Sequence, residues 1–122
     1  MILSFTHKIW FYSDIVDFRK QLNGLIQLIV DYIEADPSSG ELFIFRDRTG
    51  KKLKMVYFDG KCFWLLYCRM EEGKFKLPQP NDQSLSITYD QLNWLLSGLR
   101  LDAKTINDCY TIHRSNYTAS WT

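Results

Sequence analysis

The sequence predicts an α+β domain, an antiparallel meander sheet of about four to five strands with two helices packed on one face. Three observations carry that expectation. Two separate stretches, one early and one late, place apolar residues at helical spacing. Between them lie apolar runs bounded by Gly, Pro and Asp turns. Both helical stripes need an apolar surface to cover, and the strand-rich middle supplies one. A small, strongly curved or barrel-like sheet flanked by the same helices would satisfy the same pattern.

Lys8 to Tyr12 is a short aromatic run with strand character. Ser13 and Asp14 then read as a helix start, with Asp14 as N-cap and Asp17 adding negative charge to the first turn. Phe18, Leu22, Leu25, Ile26, Ile29 and Ile33 form one apolar face at helical period. Asp36-Pro37 ends the helix, because a residue before proline is pushed out of the α region. Leu42 to Phe45 is a strand that turns basic at Arg46 and Arg48, and a turn at Thr49-Gly50 leads into Leu53 to Phe58. Asp59-Gly60 between two apolar runs is the strongest hairpin signal, a turn expected to hold both residues at positive φ. Lys61 to Met70 is apolar on both faces and reads as a central strand, followed by a turn at Glu72-Gly73 and a short strand from Lys74 to Leu77. Thr88 and Gln91 have the spacing of a capping box, and Leu92, Leu95, Leu96 and Leu99 supply the stripe of the second helix.

The 122 residues fit one domain, assigned to residues 1–101, with 102–122 a polar tail lacking any clear period. Hydrophobic residues at 46% rule out a disordered composition. Met1 to His7 hold no long apolar run, and no stretch reaches the roughly 18–20 apolar residues of a membrane span. The expected location is the cytoplasm, with no membrane partner. Three cysteines do not suggest a secreted disulfide scaffold; Cys62 and Cys68 read as buried free thiols on one strand face. His7 and His113 have no Cys or acidic residue at metal spacing, so neither a metal nor any other cofactor is expected.

Net charge is only +1, but its distribution is uneven. From Arg46 to Lys76, nine basic residues face four acidic ones. Such a local excess attracts phosphate, although a solvated strand face explains it equally well.

The chain also resembles a known family. Asp17-Phe18-Arg19-Lys20 followed by Gly24-Leu25 is similar to a D-M-R-K-x-x-x-G-L signature, with Phe18 in place of Met. Asp36-Pro37-Ser38-Ser39-Gly40 before Leu42-Phe43-Ile44-Phe45 is similar to D-P-F-S-G-x-L-F-V-F, with Ser38 in place of Phe. Arg46, Arg48, Lys51 and Lys54 match a basic hairpin, and Tyr57-Phe58-Asp59-Gly60 an aromatic-aromatic-Asp-Gly turn. Gly73, Phe75 and Pro78 match the next hairpin, and Leu92, Leu95, Leu96 and Gly98 the closing helix. In this order and spacing, residues 8–101 resemble the TnpB-type accessory proteins of the bacterial insertion-sequence family numbered sixty-six. The resemblance implies a helper in DNA transposition that works with the element's transposase and a second small accessory protein.

Catalysis is not expected. Asp17 and Asp31, on one predicted helix, would stand about 21 Å apart, too far to share a metal. No phosphate-binding glycine loop or Cys/His pairing is present. Two binding roles remain. A ribbon with basic tips built from Arg46, Arg48, Lys51, Lys52 and Lys54, joined by Arg19 and Lys20, would contact DNA phosphates or guanine edges. Arg19 suits an ion pair with Asp17 as well. Alternatively the aromatic excess, Trp10, Tyr12, Trp64, Tyr67, Trp94 and Trp121, serves a protein-interaction module that docks on the transposase without touching DNA.

Overall fold

The computed structural model describes residues 7–98, so the second-helix position Leu99 and the expected tail at 102–122 lie outside the described residues. Within it, β1 (Ile9–Ile15) leads to α1 (Leu22–Leu28), which continues through a π-helical turn (Ile29–Ile33). Then come β2 (Leu42–Arg46), β3 (Lys52–Phe58), β4 (Phe63–Arg69), β5 (Ser84–Ile87) and α2 (Tyr89–Leu96). The sheet order is β4-β3-β2-β1-β5. The α+β class and the five strands match expectation. The sheet is mixed, however: β2, β3 and β4 form an antiparallel meander, but β1 pairs parallel to β2, with Ile9 opposite Leu42 and Tyr12 opposite Phe45. Parallel neighbours cannot be joined by a tight turn, and the segment carrying α1 provides the crossover.

That crossover also corrects the expected placement of the helices. They cover opposite faces of the sheet, not one. Along β2, Leu42 and Ile44 point to the face where Leu92 and Leu95 of α2 pack, together with Ile9, Phe11, Leu53 and Met55. Phe43 and Phe45 point the other way, against Leu25 of α1 and Ile29 of the π-helical turn, with Tyr12 and Val56. Every residue of β2 is therefore buried, as expected for a strand covered on both sides. The central strand is β2, flanked by β1 and β3; β4, expected to be central, lies at an edge and is only partly buried.

Three local departures have physical reasons. β1 extends to Ile15, so Asp14 lies in the strand and the α-helix begins at Leu22 after an uncapped Gln21. Pairing with β5 and β2 holds this stretch extended, and Asp17 instead turns the chain by accepting the backbone N–H of Arg19. Lys74 to Leu77 forms no strand; the fifth strand is Ser84–Ile87, whose Leu85 and Ile87 alternate into the α2-side core. The Asp59-Gly60 hairpin is present, but only Gly60 takes positive φ (102°). The Asp59 carboxylate stays on the near side and accepts the N–H groups of Lys61 and Cys62 and the indole N–H of Trp64. Those three donors hold its carboxyl down to about 2, the backbone bond from Cys62 contributing most.

The α2 capping box is formed as expected: Thr88 Oγ1 accepts from the Gln91 backbone N–H, and the Gln91 side chain accepts from that of Thr88. At the other helix, Glu34 closes the π turn in the left-handed region (φ 58°), where Ile29 O receives the N–H groups of Glu34 and Ala35. Cys62 precedes β4 and is exposed, contrary to expectation; Cys68 is half-buried, and burial raises its thiol pKa.

Candidate nucleic-acid interface

The strand directions decide where the charged loops meet. β1, β2 and β4 run the same way and β3 and β5 against them, so one end of the sheet collects three strand C-termini and two N-termini. At that end lie the β1–α1 loop with Asp17, Arg19 and Lys20, the β2–β3 turn with Asp47, Arg48 and Lys51, and the start of β3 at Lys52. The segment after β4 returns to the same place, where the Phe75 N–H donates to Gly50 O. In sheets with parallel pairs, ligand crevices form outside the carboxyl ends of the strands. Here a groove of about 670 Å³ opens outside the ends of β1 and β2, lined by Ile15 to Arg19, Asp47, Arg48 and Lys52.

The β2–β3 turn is built by Asp47. Its carboxylate accepts the Thr49 hydroxyl at 2.8 Å and the Gly50 N–H at 3.0 Å, and Gly50 takes φ 75° to complete the reversal. Asp47 is thereby buried at the base, which leaves Arg48 and Lys51 projecting from the tip.

The seven basic residues singled out from the sequence separate into three groups. Arg48, Lys51 and Lys52 sit at the tip and mouth of the groove, and among the described residues none of them forms an ion pair. Arg19 lines the same groove, 91% exposed, but is clamped to Asp17 by bonds of 2.6 to 3.1 Å. The side-chain bond from Arg19, followed by its backbone N–H, holds the Asp17 carboxyl at about 2. Lys20, in the same loop, is exposed.

Arg46 and Lys54 do not join the basic surface. Both are buried, 7% and 6% exposed, on opposite faces of the sheet. Arg46 Nη1 donates to Pro78 O at 3.0 Å and Nε to Asp47 O at 3.2 Å. Burial lowers its pKa, against the opposing fields of Asp47 and Asp14. Lys54 Nζ donates to the carbonyls of Phe18 (2.9 Å) and Lys20 (2.8 Å) and lies 5.1 Å from the Phe18 ring centroid. Its ammonium thus pins the β1–α1 loop to the sheet, and this buttressing positions Arg19. The expected ribbon with all its cations gathered at the tip narrows to Arg48, Lys51 and Lys52.

Sequence reasoning missed Lys74. It is exposed beside Arg48, where the two line a smaller recess with Thr49 and Pro78 on the far side of the turn. Its place in the basic segment from Arg46 to Lys76 was the available signal. A third groove, about 520 Å³, adjoins the first across the shared wall Ile15, Val16 and Asp17. Its lining includes Tyr12, Asp14, Leu28, Asp31 and Tyr32. Asp17 and Asp31 are therefore not spaced along one helix, as the sequence suggested, but border one groove. No set of three or more His, Cys, Asp or Glu residues suited to a metal ion occurs among the described residues. No described helix is long and apolar enough to cross a membrane.

Comparison with known proteins agrees with the sequence motifs. Residues 7–105 match the family described as IS66 Orf2 like protein. The uncharacterized protein y4jC of Sinorhizobium fredii is 36% identical over 84 residues, covering 69% of this chain and 72% of that protein. The uncharacterized protein y4hO of the same organism is 30% identical over 92 residues, covering 75% and 80%. No solved structure matches the chain. By the extent of the family match and the coverage of both relatives, this chain belongs to the IS66 Orf2-like family, the accessory proteins of insertion-sequence transposition.

Proposed function

We propose that this accessory protein acts in transposition by binding DNA at the loop-bearing end of its sheet, where Arg48, Lys51 and Lys52, with Lys74 behind them, hold the phosphate backbone. The observation that carries this reading is the groove at the ends of β1 and β2, where two of the bordering cations, Arg48 and Lys52, form no ion pair among the described residues. Arginine and lysine on a protruding turn between two strands suit phosphate contact, and Arg48 can also form paired bonds to a guanine edge. Arg19 joins them when a phosphate replaces its exposed ion-pair partner Asp17, since surface pairs contribute little. Binding would be non-catalytic, in keeping with a family considered to supply accessory proteins rather than the strand-transfer enzyme.

Titration against the element's terminal inverted repeats and an unrelated duplex, at several salt concentrations, tests this. The Arg48→Ala/Lys51→Ala/Lys52→Ala variant is expected to fold normally and to lose up to about 2–3 from the slope of log K against log salt. An unchanged slope would remove the turn from the interface, and absence of any binding at moderate salt would end the DNA reading.

A second reading has its own observation. The neighbouring groove carries two exposed apolar side chains, Ile15 and Tyr32, within a rim that includes Asp14, Asp17 and Asp31. This composition suits a protein segment better than a phosphate, and the partner would be the transposase. If docking there dominates, the triple turn variant still co-purifies with the transposase and Tyr32→Ala does not. A bridge between DNA and transposase would use both grooves.

A further inference from the structure

We infer that the DNA held at this end is an unpaired strand, stacked through a base on Tyr67; the inference rests on the DNA reading above. The cations alone fit any phosphate backbone, single or double. Tyr67 adds a feature that only an exposed base can use.

Tyr67 lies on β4 and is 53% exposed. Its cross-strand partner is Lys54, and the next pair along the same face is Lys52 with Arg69. On this face Phe63 and Leu65 are partly buried against the α1-side core, whereas Tyr67 and Arg69 are exposed, so the sheet surface opens toward that end of β4. The ring therefore stands where the covered core gives way to the cationic end. Lys52 is the diagonal neighbour of Tyr67, about 7–8 Å away, and Arg69 stands two residues along the same strand face, its guanidinium in an exposed ion pair with Glu71 that a phosphate can replace, so both lie near one nucleotide step from the ring. Lys52 and Arg48 also line the groove, and Phe18, held from beneath by the Lys54 ammonium, forms part of its wall.

An aromatic side chain beside cations on a sheet face is a general solution for unpaired bases, because every base has a face to stack and the phosphates follow at regular intervals. Bases in a duplex are already stacked on one another, and duplex phosphates alone would leave Tyr67 unused. Burial does not account for Tyr67: half of its surface is in solvent, at an edge strand where smaller or charged residues protect the backbone better.

The test is fluorescence anisotropy with three probes: a labelled thymidine homopolymer of about twelve nucleotides, a mixed-sequence strand of equal length, and that strand in a duplex. The single strands are expected to bind more tightly than the duplex. Tyr67→Ala should weaken single-strand binding roughly 5- to 150-fold, and Tyr67→Phe should retain it. Duplex binding should be equal in all three proteins, while Arg48→Ala/Lys52→Ala weakens every probe. Equal or tighter duplex binding, with Tyr67→Ala without effect on single strands, would overturn the inference and leave the DNA reading standing. Failure of the native protein to bind any probe would remove both. Circular dichroism of the Tyr67 variants separates loss of contact from loss of fold.

Discussion

Arg46 and Arg48 stand two residues apart, as do Lys52 and Lys54, yet one member of each pair is buried and the other meets solvent. The difference comes from where the covering layers stop. β2 and β3 are interior strands with α2 on one face and α1 with its preceding loop on the other. A cation inside the strand body must find its partners within the protein: Arg46 takes the Pro78 and Asp47 carbonyls, Lys54 those of Phe18 and Lys20. One step past the strand end, the turn at Asp47 carries Arg48 and Lys51 beyond both layers. A basic hairpin is thus two different things, an internal clamp and an external contact surface, and residue type alone does not distinguish them.

The sharpest way to break this comparison is at Lys54. Lys54→Ala deprives two carbonyls of their donor and empties space under the β1–α1 loop, and is expected to cost about 2–4 kcal/mol in urea unfolding. Lys54→Met keeps most of the packing but not the donors, so it separates the two contributions. If Lys54→Met were neutral, the carbonyls would be taking water, and the clamp would be a matter of packing. Because the loop carries Arg19, DNA affinity should fall with Lys54→Ala even though the ammonium never reaches the groove.

Arg46→Leu ranks next, at about 1–3 kcal/mol, since its two bonds, at 3.0 and 3.2 Å, are longer than those of Lys54 and the leucine refills part of the space, although Asp47 loses a buried neighbouring cation. A loss as small as that of a surface substitution would show that the guanidinium is more solvated than its 7% exposure indicates.

The sequence made some of this readable and hid the rest for definite reasons. Local turn chemistry was readable: Thr49-Gly50, Asp59-Gly60 and the Thr88/Gln91 box all fall where expected, because each is decided by residues within a few positions. The Asp14–Asp17 stretch misled, since acidic residues before an apolar periodic run resemble a helix start, whereas β1 is held extended by two strands remote in sequence. The strand–helix–strand order of β1, α1 and β2 was itself the signal for a parallel pair, with a segment between them long enough for a crossover. A parallel pair in turn implies helix cover at the sheet face. β5 was hidden because Ser84–Ile87 is short and follows two prolines; its partner β1 supplies its order. For the site, Arg48, Lys51 and Lys52 could be found from charge and the turn signal, but the burial of Arg46 and Lys54 depends on what covers each face.

Arg48→Ala and Lys52→Ala should change stability by no more than about 0.5 kcal/mol while weakening DNA binding. That inverse pattern, against Lys54→Ala and Arg46→Leu, is the comparison restated as an experiment. Should Lys52→Ala prove as damaging as Lys54→Ala, the boundary between clamp and contact surface would move one pair toward the tip.

The smallest effect expected is on the acid limb, and it separates the two kinds of cation by their partners. Arg19 faces a carboxylate, and Asp17 is depressed from 3.8 to about 2. A depressed carboxylate contributes stability that is present above its unfolded pKa and is lost as pH falls from about 4 through 2. Both groups are on the surface, so the unfolding midpoint should shift little over that window. The Asp17 carboxyl carbon, followed by NMR, should titrate near 2 and move back toward 3.8 in Arg19→Ala. Lys54 and Arg46 donate to carbonyls, which do not titrate, so the Lys54→Ala penalty should be the same at pH 4 and at pH 2. A penalty that faded over that window would mean that a carboxylate, not the Phe18 and Lys20 carbonyls, holds the ammonium in place.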